Sequence, residues 1–406
     1  MFCLNNNSIF TIFGFTMYWF FLITLLIASI VSLLLLYVLI VKRKLKPAAT
    51  VSYSSINKAS KKIIKAGLDM LKSKRAIMPF NDEDSLYVKL ARLKAWLKRD
   101  NRQKNYAYFN FPLAFLLLGL LDTYEISGEA KLLNKIEEKC KELISDNGEL
   151  VFTFDKVDQA MFGLVFLRLY TITEAKKYLK ASDEIYKNVL SYVGDDDVVR
   201  YRKGVNVAFI DTIGLVCPFL IMYSDINDCE QALVLAEKQI ENVMNIGLEK
   251  NGILPFHAID LNLNAPLGSI NWGRGIGWWV LGLAPLAARS TKDEPNKYLL
   301  TLQKVMDFLE RARLDNEYWP QFIGHTNDNT IDSSATLMFL LATQKAGIRH
   351  IESQEFLSVI GHCVDSSGRV LKASGDTIYI NKYSRVKGAS ELTQGLMLSL
   401  ISEVSL

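Results

Sequence analysis

The chain of 406 residues is half hydrophobic, and its 47 basic and 43 acidic side chains leave a small positive excess. Lys42, Arg43, Lys44 and Lys46 account for all of that excess, so the chain from Pro47 onward is electrically neutral and lacks the basic bias that a nucleic-acid partner demands. Cys3, Cys140, Cys217, Cys229 and Cys363 show neither metal-ligand spacing nor a dense disulfide framework and read as reduced, mostly buried thiols.

No charged side chain occurs in the first 41 residues, and Ile9 to Val41 is almost unbroken apolar sequence. A bilayer core needs about 20 such residues, and a soluble core helix would show a polar stripe that this segment lacks. The stretch from Met17 to Val41, with Met17 as the start, fits a bilayer more closely. The cations follow the apolar run and none precedes it. That order places the C-terminal side in the cytoplasm and is the reverse of a cleaved signal peptide. The expected organisation is a retained single-pass transmembrane anchor with its basic flank over 1–46, a linker and leading helix over 47–80, and a soluble domain over 81–406.

Helical patterns over Ser55–Lys74 and Asp82–Arg99 lead into an internal repeat. In each copy an apolar helix is followed by a short polar break and an amphipathic helix. Copies run over Phe111–Ile144 and Asp158–Leu190, then from Asp211, from Gly277 and from Ser334, and Glu391–Val404 supplies a last apolar helix. A helix apolar all round must be buried, and one with a charged face borders solvent. About six such pairs predict an all-α fold closed into a ring, an (α/α) barrel with the apolar helices inside. An open solenoid of helix pairs is the alternative, but both helices of each pair would then keep an exposed side.

The linkers that return from outer to inner helices also repeat: "DNGELVFTF" at Asp146, "NGILPFHA" at Asn251, "DNEYWPQF" at Asp315 and "SSGRVLKAS" at Ser366. Their Asn-Gly and Asp-rich breaks are turn signals, and the apolar residues after them can form short strands. All of these loops gather at one end of the ring, where ligand contacts concentrate. Each inner helix also starts with polar residues: Asp158 in "KVDQAMFG", Asp211 in "AFIDTIGL", Arg274 in "NWGRGIGWW", Asp332 in "TIDSSATLMF" and Glu391 in "GASELTQG". Parallel inner helices would converge these groups on one mouth, the usual form of a binding site. Taken singly, an acid or serine at a helix start is as well explained as an N-cap, and Asp332 with its two serines fits that reading. Asp158 and Asp211 resist it, because each enters a nearly uncharged helix and a charge there is costly unless paired or useful.

The segment Ile270–Ala284, "INWGRGIGWWVLGLA", is the densest cluster. Glycines around Arg274 allow a tight backbone and leave the guanidinium exposed to a cavity, where an arginine fork grips a carboxylate through two hydrogen bonds. Trp272, Trp278 and Trp279 offer flat faces on which sugar rings stack. The plain alternative is a glycine-eased helix start with tryptophans in the core, and Trp279 suits it best.

The order of "VDQAMFGLVFLRLYTITEAKKYLKAS", "FIDTIGLVCPFL", "LPFHAID" with "NWGRGIGWW", and "IDSSATLMFLLATQKAG" resembles the unsaturated glucuronyl/galacturonyl hydrolases, glycoside hydrolase families 88 and 105, from about Phe109 to the C-terminus. The resemblance implies an (α/α)6 barrel, a glycosidase of carbohydrate metabolism, no metal and no cofactor, and an oligosaccharide partner that ends in a uronic acid. By position it implies Asp211 as general acid/base and Asp158 as its partner aspartate. Arg274 and Trp272 match the uronate-binding group, and His257 matches a substrate-contacting histidine. Trp278, Asp332, Ser334, Asn110 and Tyr108 complete the expected substrate-binding set. The chain departs from the pattern at Ile276, where relatives usually carry a polar residue, at Asp332, where they usually carry Glu, and in its anchor.

The chemistry this implies is hydration. Relatives act on a terminal sugar with a double bond between C4 and C5. An acid protonates C4, positive charge develops at C5 and the ring oxygen, water adds at C5, and the hemiketal opens to release the next sugar. A single carboxyl group can give the proton and take one from water, so the two-carboxylate spacing rule of ordinary glycosidases does not apply. The other reading from a different class is a membrane-bound, non-catalytic sugar-binding or assembly protein of polysaccharide biosynthesis, which the anchor and Ile276 favour.

Overall fold

The structure, a computed structural model, describes residues 6–44, 49–72, 109–291, 294–315, 317–325, 330–377, 380–384 and 386–404. The helix expected over Asp82–Arg99 and the expected site residue Tyr108 lie outside the described residues. The chain divides into two compact units, Met1–Ala49 and Thr50–Leu406.

The first unit is helix α1, Asn6–Lys44. Its stretch Met17–Leu36 has a mean hydropathy of 2.7 and buries none of its residues, so it is long and apolar enough to cross a membrane. Among the described residues one other helix, Ile210–Asn227, also passes by length and composition, but two-thirds of it is buried within the second unit. Burial identifies that one as a core helix.

The second unit alternates helices with apolar and amphipathic surfaces. The apolar ones are α3 (Phe111–Ser127), α5 (Met161–Thr173), α7 (Ile210–Asn227), α9 (Gly273–Ala287), α11 (Ser333–Lys345) and α13 (Glu391–Val404). The amphipathic ones are α2 (Ile56–Leu71), α4 (Ala130–Cys140), α6 (Lys176–Leu190), α8 (Glu230–Asn242), α10 (Lys297–Arg311) and α12 (Ser353–Cys363). Sequence explains both kinds. On α4 the buried Leu132, Ile136 and Cys140 recur every fourth residue and form one stripe. On α3 Leu116, Leu117, Leu120 and Leu121 are all fully buried, each contributing about 1.5–3 kcal/mol of burial. Asn110 starts α3 by accepting the Phe111 amide on its side chain at 2.7 Å, with Pro112 in the first turn, and Gly128 at φ 64° ends it.

The inner helices pack in chain order, α3 on α5, α5 on α7, α7 on α9, α9 on α11 and α11 on α13, and α13 packs back on α3 to close the ring. The closing seam is the tightest and depends on glycine. A Cβ at Gly119 would lie 2.2 Å from the Gly395 carbonyl oxygen, and one at Gly395 would lie 2.1 Å from that of Phe115. Helix α2, expected from the sequence as a leading helix ahead of the domain, packs on α13, α3 and α12. It is the sixth amphipathic helix of the ring among the described residues. The all-α barrel expected from the repeat is thus the architecture observed.

Small strands trim the mouth. Strand β1 (Val207–Phe209) pairs antiparallel with β2 (Ala258–Asp260), which pairs antiparallel with β3 (Ala265–Leu267). Strand β4 (Ala373–Ser374) pairs with β5 (Lys387–Gly388) and frames the loop between them. Strands β2 and β4 begin in two of the linkers whose apolar residues the sequence marked as short strands, at Asn251 and Ser366, whereas β1 lies in a linker not so marked.

Candidate active site at the mouth of the barrel

The register of β1 on β2 sets the central pair. Phe209 lies opposite Ala258, and the Ile210 amide donates to the His257 carbonyl at 3.0 Å. This brings His257, just before β2, next to Asp211, two residues after β1. His257 Nε2 stands 3.6 Å from Asp211 Oδ2, and that buried oxygen accepts no hydrogen bond among the described residues. Asp211 sits in the first turn of α7, where the helix dipole favours negative charge.

His257 is fixed from behind. Its Nδ1 lies 2.7 Å from the Ile380 carbonyl oxygen, which can only accept, so Nδ1 carries the proton. In the neutral ring Nε2 is therefore the acceptor, and it faces Asp211. The imidazole is packed among Trp272, with ring centres 4.6 Å apart, Phe209 and Tyr383.

Asp211 and His257 line a cavity of about 370 Å3 together with Tyr201, Arg202, Phe209 and Asp376. Phe111 at the head of α3 also reaches it. A larger cavity of about 570 Å3 opens among the C-terminal halves of the inner helices. Its arginines are paired there, Arg168 with Asp122 and Arg289 with Asp225.

Asp158 lies one layer behind the wall. It is fully buried in a short 3-10 turn (Val157–Ala160) before α5 and accepts the Tyr201 hydroxyl at 2.9 Å. Burial pushes its carboxyl up to about 6, against the opposing pull of Lys156 and of the Tyr201 hydrogen bond. Lys156 is itself pushed down to about 8 by burial, with Asp158 pulling the other way. Gln159 ties this turn to the start of α3 through the Phe109 carbonyl at 2.9 Å.

Sequence reasoning missed Asp376. Burial raises its carboxyl, Arg274 pulls it back, and the Asp211 charge raises it further. Its signal is an acid after Gly375 in the last linker to an inner helix, just past the segment read for its turn and short strand. Tyr201 and Arg202 were missed for the same reason, since they stand in a loop before β1 rather than at a helix start.

Arg274 requires a correction. The sequence predicts its guanidinium exposed to a cavity, whereas the residue is only 2% exposed. Its two terminal nitrogens donate to the Ser374 and Gly375 carbonyls at 2.7 and 2.5 Å, and one lies 3.7 Å from Asp376. The arginine fork holds a loop of the chain. Trp272 is equally buried, packed against His257, Arg274 and Tyr383, and is placed to shape the histidine rather than to present a sugar platform.

The remaining expected residues are structural in their contacts. Trp278 is buried edge-on to Phe111. Asp332 caps α11, its Oδ1 accepting from the Ser334 amide and hydroxyl at 2.9 and 2.6 Å and from the Ser374 amide at 3.3 Å. Asn110 is the cap of α3 already described. Ile276 is 1% exposed in the core and does not line the cavity.

Comparison with known proteins agrees with this fold. The family model described as Glycosyl Hydrolase Family 88 matches residues 91–366. The chain is 20% identical over 326 residues to the unsaturated rhamnogalacturonyl hydrolase YesR of Bacillus subtilis (strain 168), covering 74% of this chain and 91% of that protein. Among solved structures, a possible member of the GH105 family from Klebsiella pneumoniae subsp. pneumoniae MGH 78578 aligns with a TM-score of 0.67 at 14% identity, covering 88% of this chain and 94% of that one. An unsaturated glucuronyl hydrolase specific for heparin aligns with a TM-score of 0.63 at 13% identity, covering 86% and 96%. At such identities the structural likeness shows the fold, and the family model adds the kinship. The chain belongs to Glycosyl Hydrolase Family 88 and is a glycoside hydrolase.

Proposed function

We propose that the protein removes a 4,5-unsaturated uronic acid from the end of an oligosaccharide by hydrating its double bond, with Asp211 as general acid and base. The observation that carries this reading is the Asp211 carboxylate at the mouth cavity, with one oxygen free of hydrogen-bond partners among the described residues and a histidine Nε2 3.6 Å away. Relatives named for unsaturated rhamnogalacturonyl and glucuronyl substrates support the substrate class.

Asp211 would protonate C4 and then accept a proton from the water that adds at C5. Neutral His257, with its Nδ1 proton engaged by Ile380, offers an acceptor at Nε2 that orients the Asp211 proton or the incoming water. Asp376, raised by burial and by Asp211, is the neighbouring carboxyl suited to hold a proton. Tyr201 and Asp158 support the wall from behind. We further propose that α1 anchors this hydrolase to a membrane with Thr50–Leu406 on the cytoplasmic side, because the juxtamembrane cations follow the span.

The direct test is to incubate the purified full chain with unsaturated uronyl disaccharides and follow the loss of alkene absorbance. Steady consumption supports the reading. A folded protein that leaves every such substrate intact would shift the weight to a sugar-binding or assembly role.

A further inference from the structure

We infer that the carboxylate of the substrate's uronic acid is recognised by Arg202, on the rim of the mouth cavity, and not by Arg274. The inference rests on the proposed hydrolase reading and deepens it. Two independent observations carry it. The first is that Arg274 is already engaged: both terminal nitrogens donate to main-chain carbonyls, and Asp376 lies beside it. A substrate carboxylate gripping both terminal nitrogens of Arg274 would compete with the Ser374 and Gly375 carbonyls, and the described lining of the cavity includes Asp376 beside them but not Arg274.

The second is the charge of the cavity. Among its described lining residues Asp211 and Asp376 are acidic, and Arg202 carries the one permanent positive charge. An anionic sugar entering beside two carboxyl groups needs a compensating cation within reach. Arg202 is exposed and makes no ion pair among the described residues, and its guanidinium rests over the Tyr201 ring at 5.8 Å. That ring steadies a planar fork, and its hydroxyl is tied to Asp158. The fork is thus presented at the rim on a tethered tyrosine.

The inference predicts a split between binding and turnover. The full chain in detergent micelles is assayed with an unsaturated glucuronyl disaccharide and with its methyl ester, which keeps the alkene and lacks the charge. Arg202→Ala should raise KM for the acid about tenfold, the low end expected for losing a charged hydrogen bond, and lower kcat by less than about twofold. On the ester it should cause no further loss, and Arg202→Lys should recover part of the binding of the acid. A parent enzyme that consumes the acid while Arg202→Ala shows the parental KM overturns the inference and leaves the hydrolase reading standing. Equal losses on acid and ester overturn it too. A parent inactive on both substrates defeats the hydrolase reading, and the inference with it.

Discussion

His257 Nε2 lies 3.6 Å from Asp211 Oδ2 because β1 and β2 pair with Phe209 opposite Ala258. The two residues are 46 positions apart in sequence, Asp211 in the first turn of α7 and His257 in the linker just before β2, so the strand register between β1 and β2 brings them together. Replacing His257 by Gln should keep the fold and lower kcat about 10- to 100-fold, toward the lower part of the range for acid–base participants. Kinetics on an unsaturated disaccharide, with thermal unfolding of the same sample, check this. Parental kcat in a folded His257→Gln protein would make the ring a packing element only.

Asp158 should make stability depend on pH. Its folded-state carboxyl is pushed up to about 6 from an ordinary value of 3.8. The folded protein therefore holds a proton that the unfolded chain has released between those values. The associated stability is fully present below about 4 and is lost as pH rises through about 6. Asp158→Asn should flatten this slope and raise the melting temperature at pH 7.5 by a few degrees, an effect of roughly 1–2 kcal/mol. Melting curves at pH 5 and 7.5 on parent and variant test the sign. If activity falls in the stabilised variant, the acid has a functional role as well.

Arg274→Lys should loosen the loop that carries Asp376. An ammonium cannot reproduce the two-carbonyl fork, and losing one charged hydrogen bond costs on the order of 1.5–3 kcal/mol. The expected result is a lower melting temperature together with a lower kcat. Unchanged stability combined with a raised KM would instead restore the uronate clamp that the sequence suggests.

The barrel seam gives a prediction independent of chemistry. Gly395→Ala would put a methyl group 2.1 Å from the Phe115 carbonyl oxygen, and α13 and α3 would have to part. Overpacking of this kind typically costs about 1–3 kcal/mol and can exceed it where backbone must move. Thermal or urea unfolding of the variant measures the loss, and an unchanged midpoint would mean that the seam is looser than the structure describes.

These sites were legible in the sequence to different depths. The inner ring was readable because α3, α7 and α9 have no polar face, and that property needs no tertiary information. Asp211 stood out as a charge at the head of such a helix. What could not be read was which side of a buried wall a group faces. Trp272 packs against both His257 and Arg274, but a sequence cannot tell that the Arg274 fork closes on Ser374 and Gly375, 100 and 101 residues later. Asp376 and Arg202 lie in irregular loops, where neither period 3.6 nor period 2 marks a direction. That helix α2 packs on α13, α3 and α12 could not be read, because ring closure joins distant parts of a domain and no local pattern announces it.

The proposed topology has its own test. Protease added to intact cells should leave Thr50–Leu406 uncut, and permeabilised cells should lose it. Digestion in intact cells would place the hydrolase on the outer side and remove the inference drawn from Lys42, Arg43, Lys44 and Lys46.

The central claim is that the Asp211 carboxyl group transfers the proton. Asp211→Asn preserves shape, and no side chain caps the start of α7, so the substitution separates chemistry from folding. The full-length variant and its parent should be compared by thermal unfolding and by loss of alkene absorbance from an unsaturated uronyl disaccharide. The account predicts a melting temperature close to the parent's and a rate lower by about 10²–10⁴-fold. A stable Asp211→Asn protein that consumes the substrate at the parental rate would contradict it.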